Sequence, residues 1–165
     1  MRALALLLAL PLAACGLQPL YQGGGAGVVA QSLSGVEVAP IAGRNGWLVR
    51  NALVDRLPRG SGPARYRLVV DLDDRIEGFG VRADEAVTRE RRILRSRYQL
   101  VDAATGETVL DATAGSDAGI DVVSSEYATV VAENTAVERL AETVADQMVG
   151  RIALFIRRTA PAPPK

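Results

Sequence analysis

The sequence predicts an α+β fold, a two-layer sandwich with two helices packed on one face of a four-stranded sheet in the order β-α-β-β-β-α. Three observations predict it. A period of two in hydrophobicity marks residues 65–73 and 87–101, which is the pattern of strands with one buried face. Spacings of three and four occupy a segment before those strands and a much longer one after them. Clusters of Gly, Pro and Asp separate these segments, and the helical ones do not alternate regularly with the strands.

The N-terminus comes first in chain order. Met1 and Arg2 precede an apolar run over residues 3–10, the length of a signal-peptide core and too short to span a bilayer. The run stops at Leu12-Ala13-Ala14-Cys15-Gly16, which resembles a bacterial lipobox. The resemblance implies removal of residues 1–14 and a mature chain that begins at a lipidated Cys15. Several acyl chains on one residue hold a soluble domain stably on a membrane, where a single chain anchors only marginally. Gly16 stands where Asp commonly retains such lipoproteins at the inner membrane, so the implied destination is the periplasmic side of the outer membrane. Residues 15–35, with Gly23, Gly24, Gly25 and Gly27 and no hydrophobic period, read as the lipidated N-terminus and a flexible tether.

A single domain is expected over residues 36–158. Residues 36–41 read as a short strand in which Pro40 marks an edge or an end. Asn45 reads as the N-cap of a first helix with Trp47, Leu48, Val49, Ala52, Leu53 and Leu57 on its apolar stripe, ended by Pro58, Gly60, Gly62 and Pro63. In the next strand Tyr66, Leu68, Val70 and Leu72 share one face, and Arg65, Arg67, Asp71 and Asp73 the other. The following strand sets Leu94, Tyr98 and Leu100 against Arg89, Arg91, Arg95 and Arg97. Residues 102–106 read as a turn, and residues 108–114 as the last strand of a meander. A helix over residues 125–158 follows, with Ser124 or Ser125 as N-cap and a stripe of Tyr127, Val130, Val131, Asn134, Val137, Ala141, Val144, Met148, Ile152 and Phe155. Gly150 is a weak point in that helix, and residues 159–165 are expected to be a disordered tail.

Composition narrows the function. With no His and one Cys, the commonest general base is missing, and neither an intramolecular disulfide nor a multi-Cys zinc site can be assembled. A Ser-His-Asp triad is excluded for the same reason, and the only Lys is Lys165. The acids Asp71, Asp73, Asp74 and Glu77 lie on an alternating strand rather than in a calcium-type loop, so no metal is expected. Gly78-Phe79-Gly80 precedes no strand-to-helix phosphate loop. Lys plus Arg number 19 against 19 Asp plus Glu, which gives no basic field for nucleic acid, and no nucleic-acid partner is expected. The feature of chemical interest is the row Arg89, Arg91, Arg95 and Arg97, all on one sheet face at steps of about 7 Å. Guanidinium forks in such a row suit phosphate, and they equally suit carboxylates on a neighbouring strand. Asn134 within the apolar stripe reads either as a satisfied core polar group or as a partner contact.

The sequence also resembles the lipopolysaccharide-assembly lipoprotein family LptE, in its alphaproteobacterial style. The residues that carry the resemblance are Cys15-Gly16-Leu17-Gln18-Pro19-Leu20-Tyr21, Arg50-Asn51 with Leu53, Tyr98 with Leu100 and Asp102, Thr105-Gly106, Ser125 with Tyr127-Ala128, and Ala132, Ala136, Arg139-Leu140-Ala141 and Ala145-Asp146-Gln147. Leu17 stands where the family usually has an aromatic. The resemblance implies a non-enzymatic outer-membrane lipoprotein without a cofactor beyond the lipid on Cys15. It further implies a plug and folding partner inside a large β-barrel of the LptD type, with binding of lipopolysaccharide by basic residues. An envelope scaffolding lipoprotein of similar fold is the alternative.

Overall fold

The computed structural model describes residues 33–58, 60, 62–81 and 87–159. The elements are β1 (Val36–Val38), α1 (Gly43–Arg56), β2 (Tyr66–Val81), β3 (Val87–Asp102), β4 (Thr108–Asp121) and α2 (Glu126–Thr159). They form one four-stranded sheet in the order β1-β2-β3-β4, with β1 parallel to β2 and the other pairs antiparallel. The predicted α+β class and element order are those observed. Cys15, the signal segment and most of the tether lie outside the described residues, as does the tail after Thr159. The domain's packing begins before residue 36, because Leu33 is fully buried in the core.

Alternation along the strands decides which face is covered. Tyr66 and Leu68 of β2 and Leu94, Tyr98 and Leu100 of β3 are buried beneath the helices, while Arg67, Asp71, Asp73, Arg95 and Arg97 remain exposed on the opposite side. Each large side chain so buried contributes about 1.5–3 kcal/mol of transfer free energy. Both helices share that core: Val49 and Leu53 from α1 meet Val137, Leu140, Val144, Met148, Val149 and Ile152 from α2. A 34-residue helix is about 51 Å long and runs unbroken through Gly150. Its buried face is wider than one stripe because it packs on the sheet and on α1 together, which brings in Leu140, Ala145, Val149 and Ala153.

Several local expectations are corrected. Helix α1 starts at Gly43 with Ala42 as N-cap, and Asn45 lies inside it, its amide donating to Asp74 Oδ2 at 2.5 Å. The chain before the helix folds back so closely that a Cβ on Gly46 would stand 2.7 Å from the Ile41 carbonyl oxygen. Trp47 is 61% exposed, because the α1 residues that meet the core are Gly46, Val49, Ala52 and Leu53. In α2, Ser125 is the cap, its Oγ accepting from the Ala128 N–H at 3.4 Å, but Tyr127 is 80% exposed and Val130 and Val131 nearly half. Strands β2 and β4 run to Val81 and Asp121, farther than the residues 65–73 and 108–114 read as strand from the sequence. From residue 75 to residue 80, β2 is exposed on both faces, so the hydrophobic period that marks a strand is lost although backbone pairing with β3 continues.

Candidate functional site

The central position of β3 places Arg89, Arg91, Arg95 and Arg97 together on the face away from the helices, as alternation predicts. Register supplies their neighbours. Phe79, Glu77, Asp73 and Asp71 of β2 stand opposite Arg89, Arg91, Arg95 and Arg97, while β4 sets Asp121, Gly119, Gly115 and Thr113 opposite the same four. Ile93 lies in the middle of the row and is 9% exposed, covered by its long neighbours.

Carboxylates of β4 already hold three of the four arginines. Arg89 Nε lies 3.2 Å from Asp121 Oδ1, and Arg91 Nε lies 3.8 Å from Asp117 Oδ2 with its guanidinium 5.7 Å from the centroid of Phe79. Arg97 forks Asp111 at 3.1 and 2.7 Å, and Gln99 donates to the same carboxylate at 2.9 Å. The Arg97 bonds, with that from Gln99 second, hold the Asp111 carboxyl at about 2, below its usual 3.8. Arg75 reaches along its own strand to Asp73 at 3.2 Å. These pairs are solvated, so they contribute little to stability.

Arg95 differs. Among the described residues it has no carboxylate within ion-pair distance, and its side chain lies across Gly115, where a Cβ would stand 2.5 Å from Arg95 Cδ and 2.8 Å from Nη1. Glycine at 115 is what lets the guanidinium cross β4. The backbone of Gly115 is fixed in turn by α2: its N–H donates to Gln147 Oε1 at 3.1 Å, and Gln147 Nε2 donates to its carbonyl at 3.3 Å. The side-chain amide thus takes the place of a further strand at this edge. Asp71, Asp73, Arg95, Arg97, Gly115 and Gln147 are among the residues around a shallow concavity of about 660 Å³. Chemically it offers one unpaired guanidinium between carboxylates, a place where a phosphate gains one fork but meets local negative charge.

The acidic cluster of the sequence is divided by the pleat. Asp71 and Asp73 face outward, whereas Asp74 faces the helices and is forked by Arg92 at 3.0 and 2.6 Å. Arg92, 8% exposed, also donates to the Glu133 carbonyl at 3.1 Å, so one buried ion pair joins β2, β3, α1 and α2. Sequence reasoning missed Arg92, although its even position in β3 put it on the apolar face. Asn134 is neither core nor free: its Oδ1 accepts from Arg44 Nη1 at 2.6 Å and fastens α2 to α1. Among the described residues no group of His, Cys, Asp and Glu can hold a metal ion, and no helix is long and apolar enough to cross a membrane.

Comparison with known proteins follows the same fold. A family model described as "LptE: Lipopolysaccharide-assembly" matches residues 33–152. A structure of a Caulobacter crescentus protein assigned as a lipoprotein superposes with a TM-score of 0.67 at 28% identity, covering 81% of this chain and 98% of that one. The rare lipoprotein B of Shewanella oneidensis (TM-score 0.56, 12% identity, 74% and 95% coverage) shares the fold. So does a minor lipoprotein of Acinetobacter baumannii (TM-score 0.56, 14% identity, 78% and 94% coverage). No curated protein matches the sequence.

Proposed function

The chain belongs to the LptE family of lipopolysaccharide-assembly lipoproteins, a non-enzymatic family, and from that premise we propose that it is the lipoprotein subunit of an outer-membrane lipopolysaccharide translocon. In this reading Cys15 carries the lipid anchor on the periplasmic side of the outer membrane. The folded domain plugs a β-barrel of the LptD type, assists its folding and aids delivery of lipopolysaccharide to the outer leaflet. The observation that carries the reading is the family match over residues 33–152, which spans almost all of the described domain. The shape supports it: a rod set by a helix about 51 Å long, with a charged sheet face, suits the polar lumen of a large barrel.

Lipopolysaccharide phosphate engages the arginine face at Arg95 first, because Arg89, Arg91 and Arg97 must each release a carboxylate before they bind an anion. Arg95→Ala is expected to weaken lipopolysaccharide binding about fivefold, the effect of one exposed charge-assisted contact of about 1 kcal/mol. Raising salt should weaken the wild-type interaction and leave the variant less affected. Equal affinity of the two proteins, at every salt concentration, removes the face from lipopolysaccharide recognition.

The test of the larger reading is purification of the tagged lipoprotein from detergent-solubilised outer membrane. A large barrel protein recovered in near-equal amount supports it. A monomer under conditions shown to preserve such complexes refutes the plug role and favours the scaffolding alternative. Cys15→Ala is expected to leave the protein unprocessed and loosely bound, and stable retention of mature-sized protein in the outer membrane would refute the lipidation site.

A further inference from the structure

Charge is sorted along α2. From Glu126 to Asp146 the helix carries the carboxylates of Glu126, Glu133, Glu138, Glu142 and Asp146 against Arg139 alone, while from Gln147 to Thr159 it carries Arg151, Arg157 and Arg158 and no carboxylate. The helix dipole accounts for Glu126 in the first turn and for Arg157 and Arg158 in the last. It does not account for Arg151, two turns before the end, because the effect fades within a turn of the terminus. Arg151 and Arg158 are two turns apart, so they stand on one side of the helix about 10.5 Å from each other along its axis, with Leu154 and Phe155 between them. Together with Leu110 of β4 these four side chains line a concavity of about 300 Å³.

Arg151, Arg157 and Arg158 are exposed, and among the described residues none of them has a carboxylate within ion-pair distance. At helical spacings of three and four, Arg151 meets only Gln147, Met148, Leu154 and Phe155, so no ion pair forms within the helix. The adjoining β3–β4 turn carries Glu107 and Asp102, and Asp102 Oδ1 is taken by the Ala104 and Thr105 N–H groups. Outside the described residues, residues 1–32, 59 and 61 hold no Asp or Glu, and residues 160–165 add only Lys165 among charged side chains. Asp84 and Glu85 follow Val81, which is one length of β2, about 50 Å, from Tyr66. Whatever path those segments take, they bring no carboxylate side chain to this end, and its positive charge stands.

The same end receives the chain from its N-terminal side. The Gly35 carbonyl accepts from the Arg65 and Tyr66 N–H groups at 2.8 and 2.9 Å, and register sets Leu68 of β2 beside Leu100 of β3 and Leu110 of β4, where the last turns of α2 lie. Leu33 stands 18 residues after Cys15, at most about 60 Å of extended chain. We propose that this end of the domain rests on the anionic headgroups of the lipid surface that holds Cys15. Arg151 and Arg158 take phosphates there, and Leu154 and Phe155 meet the lipid between them. An anchor at Cys15 keeps that surface within reach of this end, and basic side chains flanking apolar ones are what a helix offers to anionic lipid. The sorting of charge along α2 then sets which end of the rod faces the lipid. Such a contact rests on the lipid anchor at Cys15 and on no other part of the function proposed above.

The test reconstitutes the full-length lipoprotein into vesicles of phosphatidylcholine and into vesicles with about 30% phosphatidylglycerol, and reads phenylglyoxal modification of each arginine by mass spectrometry. Flotation with the neutral vesicles reports the anchor by itself. The expected result is that Arg151, Arg157 and Arg158 react about fivefold more slowly on the phosphatidylglycerol vesicles, and that high salt removes the difference. Arg139, exposed on the same helix about 18 Å from Arg151 along its axis, should react alike on both. Arg151→Gln combined with Arg158→Gln, at exposed positions outside the core, should abolish the slowing at Arg157. Equal rates for the three arginines on both vesicles would overturn the proposal and leave this end to an acidic protein surface. Equal slowing at Arg139, or slowing at Arg157 that survives the double substitution, would overturn it as well. Failure to float with neutral vesicles refutes the anchor, and the contact with it. The wild-type comparison decides the matter even where the variant fails to fold.

Discussion

Replacing Arg92 by Ala removes the centre of the only buried ion pair among the described residues. Its fork on Asp74, at 3.0 and 2.6 Å, is lost together with the bond to the Glu133 carbonyl. Asp74, whose side chain is 18% exposed, then keeps only the Asn45 amide as partner. Breaking a buried pair by removing one member costs about 3–5 kcal/mol because the other charge stays behind uncompensated. The residual water and the Asn45 bond put Asp74 at the lower end, about 3 kcal/mol. Against a domain stability of about 5–15 kcal/mol that is a large fraction. In urea, with a slope of about 1.5 kcal/mol/M, the midpoint should fall by about 2 M. A double variant, Arg92→Met with Asp74→Leu, removes both charges and should lose no more than about 1 kcal/mol. The assay is equilibrium urea unfolding of the single variants and the double variant, followed by far-UV circular dichroism. An Arg92→Ala loss below about 1 kcal/mol, or a double variant equal to the sum of the single losses, would refute this account of how the sheet is held to both helices.

Other perturbations test separate parts of the structure. Met148, fully buried and accepting from Ser96 Oγ at 3.6 Å, should cost about 3 kcal/mol when replaced by Ala, measured by the same unfolding experiment. Gly115→Ala brings a Cβ within 2.5 Å of Arg95 Cδ and should displace that side chain, weakening lipopolysaccharide binding as much as Arg95→Ala although no charge changes. The Asp111 carboxyl should titrate at about 2 by NMR, and Arg97→Ala should move the midpoint up towards 3.8. Because that carboxyl is held below its unfolded value, its stabilising effect is fully present above about pH 5 and is lost as pH falls through about 2.

The legibility of this fold follows the distribution of one-sided burial. Where a strand has one covered face, as at Tyr66 and Leu68 or at Leu94, Tyr98 and Leu100, the sequence alternates and the element can be read directly. The same alternation put the four arginines on one face, and the Asp102-to-Gly106 turn was equally plain, with Asp102 Oδ1 accepting from the N–H groups of Ala104 and Thr105. Residues 75–80 of β2 were not readable, because both faces there meet water and the strand is carried on by its backbone pairing with β3. Spacing set Trp47 on the apolar stripe, whereas α1 buries its neighbours Gly46 and Val49 and turns the indole outward.

By itself the sequence determined the element order, the segregation of arginines from apolar residues along β3, and the family, because these depend on local spacing and residue type. Tertiary structure alone decided which charges meet. It separated Asp74 from Asp71 and Asp73, buried Arg92, gave Arg89, Arg91 and Arg97 their carboxylates and left Arg95 without one. Those outcomes depend on strand register and on where two helices cross the sheet, and a shift of one residue in either would assign every partner differently.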